Sequence, residues 1–139
     1  FFEVGDVGIK KIELEITEST VMSNPADAIK KINQLNSFGF IFSIDDFGTG
    51  YSSLSNLKQF QINHLKIDRS FIKELPEDND NGEITKAIIA MAHNLGLHVI
   101  AEGVETIEQR DFLLALNCDL MQGYYFSKPQ ELKSLLSMI

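Results

Sequence analysis

Strand-forming and helix-forming runs alternate five times along this chain, and that alternation limits the fold more than any single residue does. Lys11-Ile12-Glu13-Leu14-Glu15-Ile16-Thr17 alternates with period two and predicts a strand. Asn24-Pro25 predicts a helix start, with Asn24 as cap and Pro25 in the first helical position. Ala28, Ile29, Ile32 and Leu35 give that helix its apolar face, and Gly39 follows near the expected stop. Phe40 to Ile44 predicts a second strand, Ser52 to Phe60 a helix, and Ile62 to Ile67 a third strand. Ser70 to Leu75 predicts a helical turn, and Pro76 to Gly82 an acidic, turn-forming loop. Ile84, Ala87, Ile88, Met91, Ala92 and Leu95 then recur at helical spacing up to Gly96. Leu97 to Ala101 predicts a fourth strand, and Thr106 with Gln109 a capped helix running to about Leu116. Leu120 to Gln122 predicts a fifth strand, and Gln130 to Met138 a closing helix. Such alternation implies an α/β fold with a parallel sheet.

The residues with chemical potential recur where those strands end: Glu15, Asp45, Asp46, Lys66, Glu102 and Gln122. Ligands bind at that end in both α/β barrels and open doubly wound sheets. No Gly-x-Gly-x-x-Gly follows the first strand and no phosphate-loop Gly-Lys-Ser/Thr occurs, which favours a barrel segment over a nucleotide-binding open sheet.

The strongest local signal is the pair Asp45-Asp46, which ends an apolar run and opens Phe47-Gly48-Thr49-Gly50. Adjacent carboxylates repel at neutral pH unless a positive charge sits between them, and a divalent cation meets that need most economically. The plainer reading of the pair is a turn cap; Gly48 and Gly50, which let backbone approach a ligand, favour function. Glu13 and Glu15 share one strand face, where Glu13 reads as solvated and Glu15 as nearer a site. Glu18 lies just beyond, placed to bind metal or to hydrogen-bond a nearby loop. Lys66, between Leu65 and Ile67, is costly inside a sheet unless carboxylates pair it; the alternative is a lysine snorkelling from an edge. Asp68 and Arg69 read as a surface pair. Glu102 suits a site and Glu105 a helix start, whereas Gln122 before Gly123 is individually weak. His64, His93 and His98 lack ligand-like spacing and read as structural. An acid-rich, His-poor set points to Mg²⁺ or Mn²⁺ rather than zinc.

Composition closes off several function classes. A net charge of −8 without a Lys/Arg cluster argues against a DNA-binding or other non-specific nucleic-acid role, while leaving room for a phosphate-bearing ligand held through cations. The 139 residues suit one domain, and no apolar run approaches the length of a membrane span. The single Cys118, in an apolar context, excludes an internal disulfide and fits a cytoplasmic setting.

Five segments taken together resemble the EAL-domain family, the cyclic di-GMP phosphodiesterases of bacterial signalling. They are Glu15-Ile16-Thr17-Glu18-Ser19, Asp45-Asp46-Phe47-Gly48-Thr49-Gly50-Tyr51-Ser52-Ser53-Leu54, Leu65-Lys66-Ile67-Asp68, Ala101-Glu102-Gly103-Val104-Glu105 and Gln122-Gly123-Tyr124, in the family's order. The resemblance implies a modified (β/α)₈ barrel of the TIM type, of which residues 1–139 would form the C-terminal part of a single domain with about five βα units. It implies that Glu15 and Asp45 bind one metal, that Asp45 bridges to a second with Asp46 beside it, and that Lys66 positions or polarises the attacking water. Glu102 would be a metal ligand or general base, and Glu105 and Gln122 would support the metal–water network. Glu18 would steady the loop from Asp46 to Gly50, which in the family couples metal binding to dimer contacts. The implied reaction is two-metal hydrolysis of cyclic di-GMP to linear pGpG. The family's Glu-Ala-Leu-type motif and a metal-binding Asn on an earlier strand have no counterpart here. The chain alone is therefore expected to be inactive and to depend on missing N-terminal strands or on a second copy. A non-catalytic module that binds cyclic di-GMP or a protein is the alternative. A homodimer, upstream sensory or GGDEF-type domains and membrane attachment of a parent protein belong to the same expectation.

Overall fold

The computed structural model describes residues 12–49, 57–131 and 134. Five strands, β1 (Glu13–Thr17), β2 (Ile41–Phe47), β3 (His64–Ile67), β4 (His98–Glu102) and β5 (Leu120–Gln122), make one sheet in chain order. Every pairing is parallel. Parallel neighbours require crossovers, and among the described residues helices supply three of the four. Helices α1 (Glu18–Ser23) and α2 (Pro25–Asn36) link β1 to β2. Helices α3 (Arg69–Ile72) and α4 (Asn79–Asn94) link β3 to β4, and α5 (Ile107–Ala115) links β4 to β5. A strand order that never reverses has no topological switch point, so the sheet is an arc of a barrel rather than a doubly wound sheet. Most of the helix expected over Ser52–Phe60, and most of the closing helix, lie outside the described residues.

Helix starts follow side-chain chemistry. The Asn24 side-chain oxygen Oδ1 accepts from the Asp27 N–H at 3.3 Å, with Pro25 in the first turn. Thr106 and Gln109 form a reciprocal capping box: the Thr106 hydroxyl accepts from the Gln109 N–H, and the Gln109 side chain accepts from the Thr106 N–H. The acidic loop expected over Pro76–Gly82 is shorter than its composition suggests. The Asp78 carboxylate accepts from the N–H groups of Asp80 and Asn81, and helix α4 begins at Asn79. Helix α1 has no counterpart among the sequence expectations; it is only six residues long, and the Thr17 side chain makes no capping hydrogen bond at its start.

Strand alternation gives the sheet two unlike faces. Phe42, Ile44, Leu65, Ile67, Val99 and Ala101 form the apolar face and pack with Val21, Ile32, Ile72, Ile89, Ala92 and Leu113 from the helices. Each valine, leucine, isoleucine or phenylalanine among them contributes about 1.5–3 kcal/mol by leaving water. Glu13, Glu15, Ser43, Asp45, His64, Lys66 and Glu102 occupy the other face. β2 breaks the alternation once. Ile44 pairs with Leu65 and Phe47 with Ile67, so β2 carries one residue more than β3 between the same two rungs. This bulge falls on Asp45-Asp46 and extends the strand past its expected end at Ile44. It also returns Phe47 to the core, with Asp46 at φ 56°.

Candidate active site

Four strand-end residues converge. Lys66 lies on the central strand with its side chain 4% exposed. Its Nζ donates to Glu15 Oε1 at 2.7 Å, lies 2.7 Å from Glu102 Oε1, and is 3.4 Å from Asp45 Oδ1. Parallel pairing brings them to one level, because β1, β2, β3 and β4 all exit the sheet in the same direction. Lys66 is therefore the carboxylate-paired lysine of the sequence reading and not a snorkelling edge residue. Burial disfavours its charged form, but the hydrogen bonds with Glu102 and Glu15 and the field of Asp45 outweigh burial and raise its pKa above the ordinary lysine range. The ammonium stays protonated at neutral pH.

Three carboxylates around one ammonium leave a formal excess of two negative charges. Asp46 adds another at the exposed bulge; burial and then the neighbouring carboxylates of Asp45 and Asp68 raise its pKa, against a smaller pull from Lys66. The Asp46 N–H donates to Asp45 Oδ1 at 3.0 Å, and its carbonyl accepts from the Thr49 hydroxyl at 2.8 Å. The left-handed backbone at Asp46 is one that Asp adopts more readily than most side chains, and residues so held cluster at functional sites.

Glu18 is buried at the start of α1, and its Oε2 accepts from the Gly48 N–H at 3.0 Å, tying α1 to the turn after the aspartates. Gly50 and Tyr51–Leu54 lie outside the described residues. Glu105 pairs with Arg69 at 2.9 Å. Gln122 ends β5 with an exposed side chain, and its carbonyl accepts from the Val104 N–H at 3.0 Å. A pocket of about 210 Å³ beside the lysine cluster is lined by Arg69, Glu102, Glu105, Gln122 and Tyr124.

The carboxylates fit a hard cation in donor type and in their excess charge. Among the described residues no group of three or more His, Cys, Asp or Glu side chains is arranged to hold an ion directly. The cation at the centre of the cluster is Lys66 itself.

Two residue readings are corrected. Arg69 does not pair with Asp68: Asp68 caps α3 by accepting from the Ser70 N–H, and Arg69 reaches Glu105. Glu13 is not a solvated face residue, since its Oε1 lies 2.8 Å from His64 Nδ1 with both side chains largely shielded. Asp119, which carried no sequence signal, receives His93 at 2.8 Å, His98 at 3.3 Å and the Val99 N–H at 2.8 Å. Those partners are remote in sequence, so no motif announces the contact.

An EAL-domain model matches residues 7–129. The chain belongs to the EAL-domain family. Cyclic di-GMP phosphodiesterase NbdA from Pseudomonas aeruginosa is 49% identical to this EAL chain over 124 residues, covering 89% of the chain and 16% of the relative. The solved PaMucR phosphodiesterase in complex with c-di-GMP superposes with a TM-score of 0.89 at 44% identity, over 92% of this chain and 52% of that one. A manganese and cy-diGMP complex of BlrP1 from Klebsiella pneumoniae superposes with a TM-score of 0.80 at 33% identity, over 87% of this chain and 31% of that one. This EAL chain thus spans about half of the solved PaMucR chain and about a sixth of NbdA. No described helix is long and apolar enough to cross a membrane.

Proposed function

We propose that this chain supplies the C-terminal strands and half of the active site of a cyclic di-GMP phosphodiesterase, and that the complete domain yields linear pGpG. The observation that carries the reading is the Lys66-centred cluster of Glu15, Asp45 and Glu102 at the strand exits of an EAL-domain sheet. The substrate named for NbdA and for the solved MucR complex supports it.

Glu15, Asp45, Asp46 and Glu102 are the residues that would hold Mg²⁺ or Mn²⁺, two ions in the complete domain. Bound there, divalent cations supply Lewis-acid polarisation and neutralise charge on the phosphodiester. The protein's own part is orientation. Lys66 keeps Glu15 and Glu102 fixed and acts there as a hydrogen-bond donor and a positive charge. Glu102 meets Lys66 through Oε1, and its other oxygen is the proposed proton acceptor for an attacking water. Glu18 steadies the turn that presents Asp46. In the reaction the water oxygen bonds to phosphorus, one P–O3′ bond breaks, and the leaving oxygen takes a proton, which leaves a 5′-phosphate and a 3′-hydroxyl. A cytoplasmic location, a homodimer and upstream sensory or GGDEF-type domains complete the proposal.

The test is product analysis. The complete domain with Mg²⁺ or Mn²⁺ should convert cyclic di-GMP to pGpG, and the 139-residue chain alone should not. Robust turnover by the chain alone refutes the need for further strands. No turnover by the complete domain, with cyclic di-GMP still bound, would favour the non-catalytic module.

A further inference from the structure

We propose that Arg69 anchors a phosphate of the substrate at the rim of the pocket beside β4 and β5. The inference rests on the cyclic di-GMP reading above. Three observations carry it. First, Arg69 is the one cation among the described residues lining that pocket, whose other lining residues include Glu102 and Glu105. A dinucleotide with two phosphodiester charges has to approach this acidic surface, and Lys66 is buried beneath three carboxylates. Among the described residues that line the pocket, Arg69 is the cation it can reach, with a side chain 59% exposed.

Second, the arginine stem is packed against backbone while its head, paired with Glu105, stays exposed to solvent. Gly103 has φ +71°, and a Cβ built on it would lie 2.4 Å from Arg69 Cγ and 2.9 Å from Cδ. The stem thus lies directly on the backbone between Glu102 and Glu105, in space that any larger residue would fill. Third, the guanidinium has five N–H donors, and its ion pair to Glu105 is made through Nη2. The remaining edge suits the bidentate grip that guanidinium offers a phosphate. Glu105 then holds the head group at the rim and competes with the incoming phosphate for it.

Calorimetric titration of cyclic di-GMP into the complete EAL domain carrying this chain tests the assignment, with Ca²⁺ as supporting cation and at two salt concentrations. Arg69→Ala should weaken binding by about tenfold or more, the scale of a lost charge-assisted contact, and should flatten the salt dependence. Arg69→Lys should recover part of the affinity, because it restores charge without the fork. Equal affinity and salt dependence for Arg69→Ala overturn the inference and leave the proposed function standing. Absence of binding by the unsubstituted domain refutes the proposed function itself, and this inference with it.

Discussion

Replacing Lys66 by methionine is the most searching perturbation of the strand-end cluster. Methionine keeps most of the apolar stem and removes the ammonium. Two contacts at 2.7 Å, to Glu15 and Glu102, and one at 3.4 Å, to Asp45, disappear together. A hydrogen bond to a charged group contributes about 1.5–3 kcal/mol. The Glu15 contact deserves less, because that carboxylate is 53% exposed and water replaces the lost donor. Glu102 and Asp45, at 19% and 22% exposure, keep most of their loss and now face each other without a counter-charge. The expected cost is about 3 kcal/mol, at the low end for removing one partner of a buried pair. For a chain of 139 residues that lowers the melting temperature by roughly 10 °C. Urea unfolding at pH 7 in a chelator measures it, and Mg²⁺ or Mn²⁺ should restore part of the loss. The sign of the pH dependence follows from the raised lysine pKa. Lys66 stabilises the unsubstituted protein fully below the ordinary lysine value near 10.4, and that stabilisation fades as pH rises through the higher folded value. Lys66→Met should lack this alkaline loss. Stability equal to the unsubstituted protein at pH 7, with an unchanged alkaline limb, would refute the electrostatic account of the cluster.

Two further substitutions probe the frame of the site. Gly123→Ala would place a Cβ 2.1 Å from the Val104 carbonyl oxygen and 2.3 Å from its nitrogen. It should break the bonds of Val104 to Gln122 and Tyr125 at a cost of about 2–3 kcal/mol, readable by denaturant unfolding. Asp119 is the second probe: burial works against its ionised form, but His93, the Val99 N–H and His98 outweigh it and lower its pKa. Its contribution is present above the ordinary Asp value near 4 and is lost as pH falls through the lower folded value. Asp119→Asn should therefore cost about 1–2 kcal/mol at neutral pH and flatten that acid limb in a pH series of unfolding curves.

Much of the fold was legible because each strand is bounded by residues with a local mechanism. The fifth strand, Leu120–Gln122, and the Thr106–Gln109 capping box needed nothing beyond the sequence. The sequence pattern ends the second strand three residues short, since a bulge at Asp45-Asp46 breaks the alternation on which the pattern depends. The sequence hides the start of α4 because Asp78, Asp80 and Asn81 are turn formers, and here Asp78 caps a first turn that contains the other two. At the site, the carboxylates and Lys66 could be placed at strand ends, but not which of them would meet. The pairs Glu13–His64, Arg69–Glu105 and Asp119–His93 join residues far apart in sequence, and only the parallel register and the crossovers bring them together.

The central claim is that the carboxylates around Lys66 form a divalent-dependent phosphodiesterase site. Its most direct test is the initial rate of cyclic di-GMP hydrolysis by the complete domain and its Asp45→Asn variant across an Mn²⁺ titration. The account predicts cation-dependent turnover that Asp45→Asn abolishes at every Mn²⁺ concentration. Turnover that survives the substitution, or that proceeds equally in a chelator, would contradict it.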